Sequence, residues 1–255
     1  MNFFFYKYHG TGNDFVMIDN RTKSFPKEKI AKIAFLCNRH FGIGADGLIL
    51  LEDDHIYDFR MIYFNADGSE GTMCGNGGRC IVAFAKKLGI IECKTIFIAT
   101  DGLHNATIKD TIVSLQMINV DTIKVNENFI FVDTGSPHHI QIVKNIDHFN
   151  VLGKGRKIRN DIYGTKGSNV NFVEQINQHT FKVRTYERGV EDETLACGTG
   201  VTAVALAMYK IKKTKVKLMT KGGVLEVSFT KKENTFLNIF LTGAVSFVFK
   251  GTITI

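Results

Sequence analysis

Cys-Gly-x-Gly occurs twice in this chain of 255 residues, as Cys74-Gly75-Asn76-Gly77 and as Cys197-Gly198-Thr199-Gly200, with an offset of 123 positions. The same offset brings Thr11-Gly12 onto Thr134-Gly135, Gly44 onto Gly167, Tyr63 onto Tyr186 and Glu70 onto Glu193, without gaps. One constant offset over most of a half-length marks an internal duplication. It restricts the chain to two similar halves of roughly 120 residues, with a short C-terminal tail left over.

The halves read alike. In the first, strand patterns are expected at 3–8, 14–18, 47–52, 58–64, 94–99 and 111–117, and a helical spacing at 28–39. A second helix runs from the Cys74 turn to Leu88-Gly89. In the second half, strands are expected at 129–134, 139–143, 170–174, 180–186, 216–220, 224–230 and 235–241, and a helix from about 199 to 211. GTGVTAVALAMY is apolar nearly all round, as a helix enclosed by sheet would be. The fold class expected is α+β: two similar domains, each a strongly curved sheet or barrel around one central helix.

Composition narrows the function classes. No apolar run approaches the ~20 residues that span a bilayer, and the opening MNFFFYKYHG has neither the apolar length nor the cleavage site of a signal peptide. We expect a cytoplasmic protein without a membrane partner. The net charge of +7 is scattered except for KIKKTKVK at 210–217, which reads as a solvated helix end and strand start. Basic and aromatic residues do not interleave as a nucleic-acid surface requires, so no nucleic-acid partner is expected. The five cysteines, Cys37, Cys74, Cys80, Cys93 and Cys197, are odd in number and lack zinc spacing, so no metal is expected. Cys37, Cys80 and Cys93 read as packing thiols.

Cys74 and Cys197 differ because each stands at a helix start. Unpaired N–H groups and the helix dipole favour negative charge there, so a thiol of ordinary pKa ~8.5 is expected to hold more thiolate. The glycines let a ligand approach the backbone, whose N–H groups suit a carboxylate. Two such turns related by duplication suit inversion at a carbon acid. One thiolate removes a proton from one face and one thiol returns a proton on the other. Backbone N–H groups stabilise the charge that develops on the adjacent carboxylate. No cofactor is expected. A redox pair of the same two thiols is an alternative. A phosphate-binding turn is another, disfavoured by the missing Walker lysine.

The motifs resemble those of the diaminopimelate epimerase family. They are Asn65-x-Asp67-Gly68-Ser69 leading to Cys74-Gly75-Asn76-Gly77-x-Arg79, and Glu187-Arg188-Gly189 through Glu193-Thr194 to Ala196-Cys197-Gly198-Thr199-Gly200. Gly10-Thr11-Gly12-Asn13-Asp14-Phe15 and Gly42-Ile43-Gly44-Ala45-Asp46 also fit, so the likeness covers essentially the whole chain. The resemblance implies domains at 1–118 plus the returning tail 243–255, and at 119–242. It implies a cofactor-independent isomerase acting on a small amino acid, and a homodimer. It implies Cys74 and Cys197 as acid and base, with His138 and Glu187 beside them. Asn13, Asn65, Gly75, Asn76, Asn169, Glu187, Arg188, Gly198 and Thr199 would hold the two ends of the substrate. Such a zwitterion needs amide and carboxylate acceptors for ammonium, and Arg188 with helix N–H groups for carboxylate.

Three departures stand out. Gly47 occupies the place of a substrate-binding glutamine, Ser136 that of an asparagine before Pro-His, and the run from Glu187 to Cys197 is one residue longer than in many relatives. The first implies a weaker grip on the far end of the substrate, which Gly47→Gln should restore. The rival is a racemase of another amino acid on the same fold. Proline-type relatives usually carry Cys-Gly-His at the first turn, where this chain has Cys-Gly-Asn.

Overall fold

The computed structural model describes residues 2–209 and 215–254. The chain divides into two compact units, Met1–Leu115 with Gly243–Ile255, and Gln116–Thr242. The basic segment at 210–217 and the end of the helix expected to 211 fall largely outside the described residues.

The first unit contains β1 (Asn2–Gly10), β2 (Asn13–Asp19), α1 (Ile30–Cys37), β3 (Gly47–Glu52), β4 (Arg60–Asn65), α2 (Gly75–Lys87), β5 (Lys94–Ala99), β6 (Gly102–Lys109) and β7 (Ile112–Gln116). Its strands pair in sequence order. Two pairings are parallel, β2 with β3 across α1 and β4 with β5 across α2. The helices take opposite faces of the sheet. Ile33 and Leu36 of α1 close an apolar layer with Val16, Ile18, Leu48 and Leu50. Helix α2 packs on β1, β2, β3, β4 and β6 from the other side, with Cys80, Ile81, Val82, Phe84 and Ala85 buried. Being covered on both faces explains why β3 reads as an unbroken apolar run, GLILLE, with every residue buried.

The second unit repeats the plan. It contains β8 (Ile123–Val125), β9 (Ile130–Asp133), β10 (Pro137–Ile142), α3 (Val151–Tyr163), β11 (Asn169–Asn177), β12 (Thr180–Glu187), β13 (Asp192–Thr194), α4 (Gly198–Ala207), β14 (Lys215–Thr220), β15 (Gly223–Lys232) and the start of β16 (Thr235–Thr254). The parallel pairs recur, β10 with β11 across α3 and β12 with β14 across α4. Helix α4 packs on β9, β10, β11, β12, β14 and β15 and is buried from Val201 to Leu206. Strand β16 continues into the first unit, where Val245–Thr254 pair antiparallel with β1. The Val245 N–H also donates to the Thr111 carbonyl beside β7. The first unit's sheet thereby closes on itself around α2.

Helix α3 and strand β6 were not foreseen. Two glycines, Gly153 and Gly155, dilute the helical signal of α3, yet its ends carry ordinary punctuation. The Asn150 side chain accepts from the Gly153 N–H at 2.9 Å, and Gly164 has a positive φ of 53°. Gly155 is buried where a Cβ would lie 2.4 Å from that of Tyr186, so glycine is what lets α3 reach the sheet. Strand β6 alternates inward through His104, Ala106 and Ile108, residue types that mask the period. Cys93 is exposed, not packed, because it lies just ahead of β5 on the surface. Cys37 and Cys80 are buried, and burial pushes the Cys37 thiol up to about 12 and raises Cys80 as well, so both stay neutral thiols.

Candidate active site

Each unit places its glycine-flanked cysteine as the last extended residue before the buried helix. Cys74 has φ −108° and ψ 120°, Cys197 φ −114° and ψ 115°. The first bonds of the two helices run from Gly78 N–H to the Cys74 carbonyl, 2.7 Å, and from Val201 N–H to the Cys197 carbonyl, 3.0 Å. The N–H groups ahead of these have no acceptor within the helix, which is the arrangement that draws an anion.

In the first unit, Asn13 at the start of β2 and Asn76 in the first turn of α2 meet beside the thiol. Asn13 Oδ1 accepts from Asn76 Nδ2 at 3.2 Å and lies 3.6 Å from Cys74 Sγ. Charge pins both amides. Asn13 Nδ2 donates to Asp46 Oδ2 at 2.6 Å, and Asn76 Oδ1 accepts from the Arg79 guanidinium at 2.7 Å. The same Arg79 nitrogen donates to Thr11 Oγ1 at 2.9 Å. Asp46 and Asp14 are held by Arg39, and Asp14 also by Lys7 at 2.7 Å. Burial pushes the Asp14 carboxyl up, but the hydrogen bonds from Arg39 and Lys7 outweigh it and hold the group well below the usual carboxylate range. Asn65, at the end of β4, is exposed and donates to Ser69 Oγ at 3.2 Å.

In the second unit, Cys197 is buried and its Sγ lies 3.4 Å from Thr199 Oγ1, while the Thr199 carbonyl accepts from Thr134 Oγ1 at 3.0 Å. His138 is a fully buried residue of β10, not of a loop, with Pro137 opening the strand ahead of it. Burial, helped by the Arg188 charge, pushes its imidazole down to about 3, so the ring is neutral at ordinary pH. Its Nδ1 lies 3.1 Å from Asn171 Nδ2, which makes Nδ1 the acceptor and leaves the hydrogen on Nε2. Asn171 also donates to the His139 carbonyl at 3.1 Å and accepts from Thr185 Oγ1 at 2.9 Å. A Cβ at Gly200 would lie 2.5 Å from Asn171 Oδ1 and 3.3 Å from Cys197 Sγ, so this glycine brings the amide, the histidine and the thiol into one cluster. Asn169 Oδ1 accepts from the Arg188 N–H at 2.9 Å, and Glu187 Oε2 from Thr194 Oγ1 at 2.8 Å.

The family model described as diaminopimelate epimerase matches residues 5–122 and 130–248, which takes in both units and both cysteine turns. The chain belongs to the diaminopimelate epimerase family. A diaminopimelate epimerase of Flavobacterium psychrophilum is 58% identical over 253 residues, covering 97% of this chain and 99% of that one. One of Aquifex aeolicus is 40% identical, covering 98% and 97%. Among solved structures, a PhzF-family phenazine biosynthesis protein of Bacillus anthracis superposes over 100% of both chains with a TM-score of 0.79 at 14% identity, a likeness of fold.

The departures from the family pattern have local explanations. Ser136 takes up the asparagine's position as an acceptor, with Asn169 Nδ2 donating to its Oγ at 3.1 Å. Between Glu187 and Cys197 the chain makes a turn in which Glu191 has φ 59° and binds Arg159, Tyr186 and the Gly189 N–H. Gly47 corrects an expectation. A Cβ there would lie 2.5 Å from the Phe64 carbonyl oxygen and 2.6 Å from the Tyr63 ring, so the position is filled by packing and has no room for a glutamine in this backbone. The residues the sequence left unassigned, Thr11, Asp46, Arg79, Asn171 and Thr185, orient those it named. Thr11, Asp46 and Arg79 lie inside the quoted motifs, but Asn171 and Thr185 carry no sequence signal beyond a polar residue in a strand.

Proposed function

We propose that the chain interconverts LL- and meso-diaminopimelate by proton transfer at the α-carbon, in the route to lysine and peptidoglycan precursors. The observation that carries the reading is that both units set a cysteine at the N-terminus of their buried helix, in a chain whose family is the same across both halves. Cys74 and Cys197 act as the two bases. One sulfur, as thiolate, takes the α-proton and becomes the thiol, while the other, as thiol, gives its proton to the opposite face and becomes the thiolate. Charge on the substrate carboxylate during the transfer is met by N–H groups of Gly75, Asn76, Gly198 and Thr199. Asn13, Asn65, Asn76, Asn169, Glu187 and Arg188 bind the ammonium and carboxylate ends, and the neutral ring of His138 serves the second thiol together with Glu187. No cofactor enters this scheme, and the reading carries with it a homodimer in the cytoplasm.

The test is incubation of the reduced protein with LL-diaminopimelate in D₂O without additions. Chiral chromatography should show meso product carrying solvent deuterium at the α-carbon. Cys74→Ser and Cys197→Ser should each lower turnover by several orders of magnitude, since serine is a far weaker acid and base at neutral pH. Near-normal turnover by either variant would refute the two-thiol scheme.

A further inference from the structure

Arg79 is a fully buried side chain of α2, and among the described residues no carboxylate pairs with it. One guanidinium nitrogen bonds Thr11 and Asn76, while Nε and the other terminal nitrogen are buried without a hydrogen-bond partner among the described residues. A buried cation left in that state is costly unless an anion balances it. Burial lowers its pKa to about 10, so it remains charged at neutral pH, and Cys80 and Cys74 are the groups whose ionisation acts against that fall.

Among the described residues, the charged groups linked to this cluster by hydrogen bonds and ion pairs carry one more positive charge than negative. Lys7 on β1, Arg39 after α1 and Arg79 on α2 are cationic. Asp14 on β2 and Asp46 before β3 are the carboxylates, and both are already taken up by Lys7 and Arg39. Tyr8 on β1 and Cys80 on α2 are both raised by burial and stay neutral. His104 on β6 is bonded to Asp101. Asn13 Oδ1, 3.6 Å from Cys74 Sγ, favours the thiol, but as a neutral dipole at a long contact set against a full charge. The duplicated turn differs here. Thr202 occupies the place of Arg79, equally buried but bonded to the Gly198 carbonyl at 2.9 Å, and so brings no charge beneath Cys197.

We infer that Arg79 is a positioning residue whose buried charge beneath the first turn of α2 holds Cys74 as the thiolate of the resting protein, leaving Cys197, over Thr202, as the thiol. The inference builds on the proposed two-thiol reaction, in which one sulfur must start ionised, but its test does not require turnover. The reduced full-length protein is alkylated with iodoacetamide across a pH series, and the Cys74 and Cys197 peptides are followed separately by mass spectrometry. Cys74 is expected to titrate at lower pH than Cys197. Arg79→Met should move the Cys74 titration up by one unit or more, making its alkylation at least tenfold slower at pH 7, and should leave the Cys197 titration in place. Arg79→Lys, which keeps the charge, should remain closer to the parent. Met also strips the Thr11 and Asn76 side chains of a buried donor, so the melting midpoint of Arg79→Met should fall; a residue with only a structural role would lower it too but leave the Cys74 titration where it was. An unmoved Cys74 titration in folded Arg79→Met overturns the inference. So does a lower titration for Cys197 than for Cys74 in the unsubstituted protein, a comparison that needs no variant. If the titrations behave as expected and LL-diaminopimelate is not turned over, the electrostatic inference stands and the proposed reaction fails.

Discussion

At Gly47, a position that reads as a missing substrate contact turns out to be one of packing. Gly47 pairs with Phe15 on one side and Asn65 on the other, in a strand buried along its length. Gly47→Gln forces its Cβ against the Phe64 carbonyl, and overpacking of this kind costs about 1–3 kcal/mol. The expected result is a lower melting midpoint and no gain in KM for diaminopimelate; a variant of parental stability with a lower KM would restore the reading from sequence. Asn171 is the complementary case. Asn171→Leu keeps the approximate volume but strips partners from His138 Nδ1, the His139 carbonyl and the Thr185 hydroxyl, all buried. A buried polar group left unsatisfied costs about 1–3 kcal/mol, so the midpoint should fall by roughly 5 °C or more. Retention of the parental midpoint in a thermal melt would show that the cluster is not structurally coupled. The two thiols, the glycines after them and Asn13 and Asn76 were legible because duplication and motif single them out. Asn171 and Thr185 were not, because their significance lies in which strand neighbours they face, and spacing along one strand does not reveal that.

Among the elements, the strands that alternate cleanly or run fully apolar were legible to within a few residues, and so were both central helices. Helix α3 was hidden by glycines that exist to let it pack, so tertiary fit outweighed local propensity. The length of β16 was also hidden, since nothing in the sequence separates its share of the second unit from its share of the first. Its final stretch, residues 245–254, supplies one side of the pairing along the whole of β1. Phe5, buried, packs its ring against Phe249 at 5.8 Å and lies under Gly251. Deleting residues 245–255 should leave β1 as an unpaired edge with an exposed aromatic row, a template for association. Hydrogen exchange should show lost protection in β1 and β2, and light scattering should show aggregates. A truncated chain with β1 still protected would mean that the closure contributes little to the first unit.

Across the whole molecule, the titrating groups divide unequally between units, and the difference sets how acid should act. Burial lowers His138 from its ordinary 6.5 to about 3 and His139 to about 4, and both belong to the second unit. Both are neutral in the folded chain over a range where the unfolded chain binds a proton at each. Between pH 6.5 and about 4 the unfolded state therefore holds more protons, and stability must fall as the pH is lowered through that window. Well above pH 6.5 the two histidines are neutral in both states and contribute no slope. In the first unit the strongly shifted acid is Asp14, held down by Arg39 and Lys7; its contribution is present above the ordinary carboxylate value of 3.8 and is lost only below it. Mild acid should thus loosen the second unit before the first. Limited proteolysis at pH 7.5 and at pH 5 should show new early cuts within residues 116–242 at the lower pH, with 2–115 still protected. His139→Phe keeps a ring to stack on Phe129, 4.3 Å away, and removes one of the two titrations, though it gives up the Tyr163 hydroxyl bond. Its melting midpoint should start lower at pH 7.5 and decline less steeply toward pH 5 than that of the unsubstituted chain. An equal slope would mean that His139 carries its proton in the folded state after all, and early cuts in the first unit would mean that its carboxylate network yields before the buried histidines do.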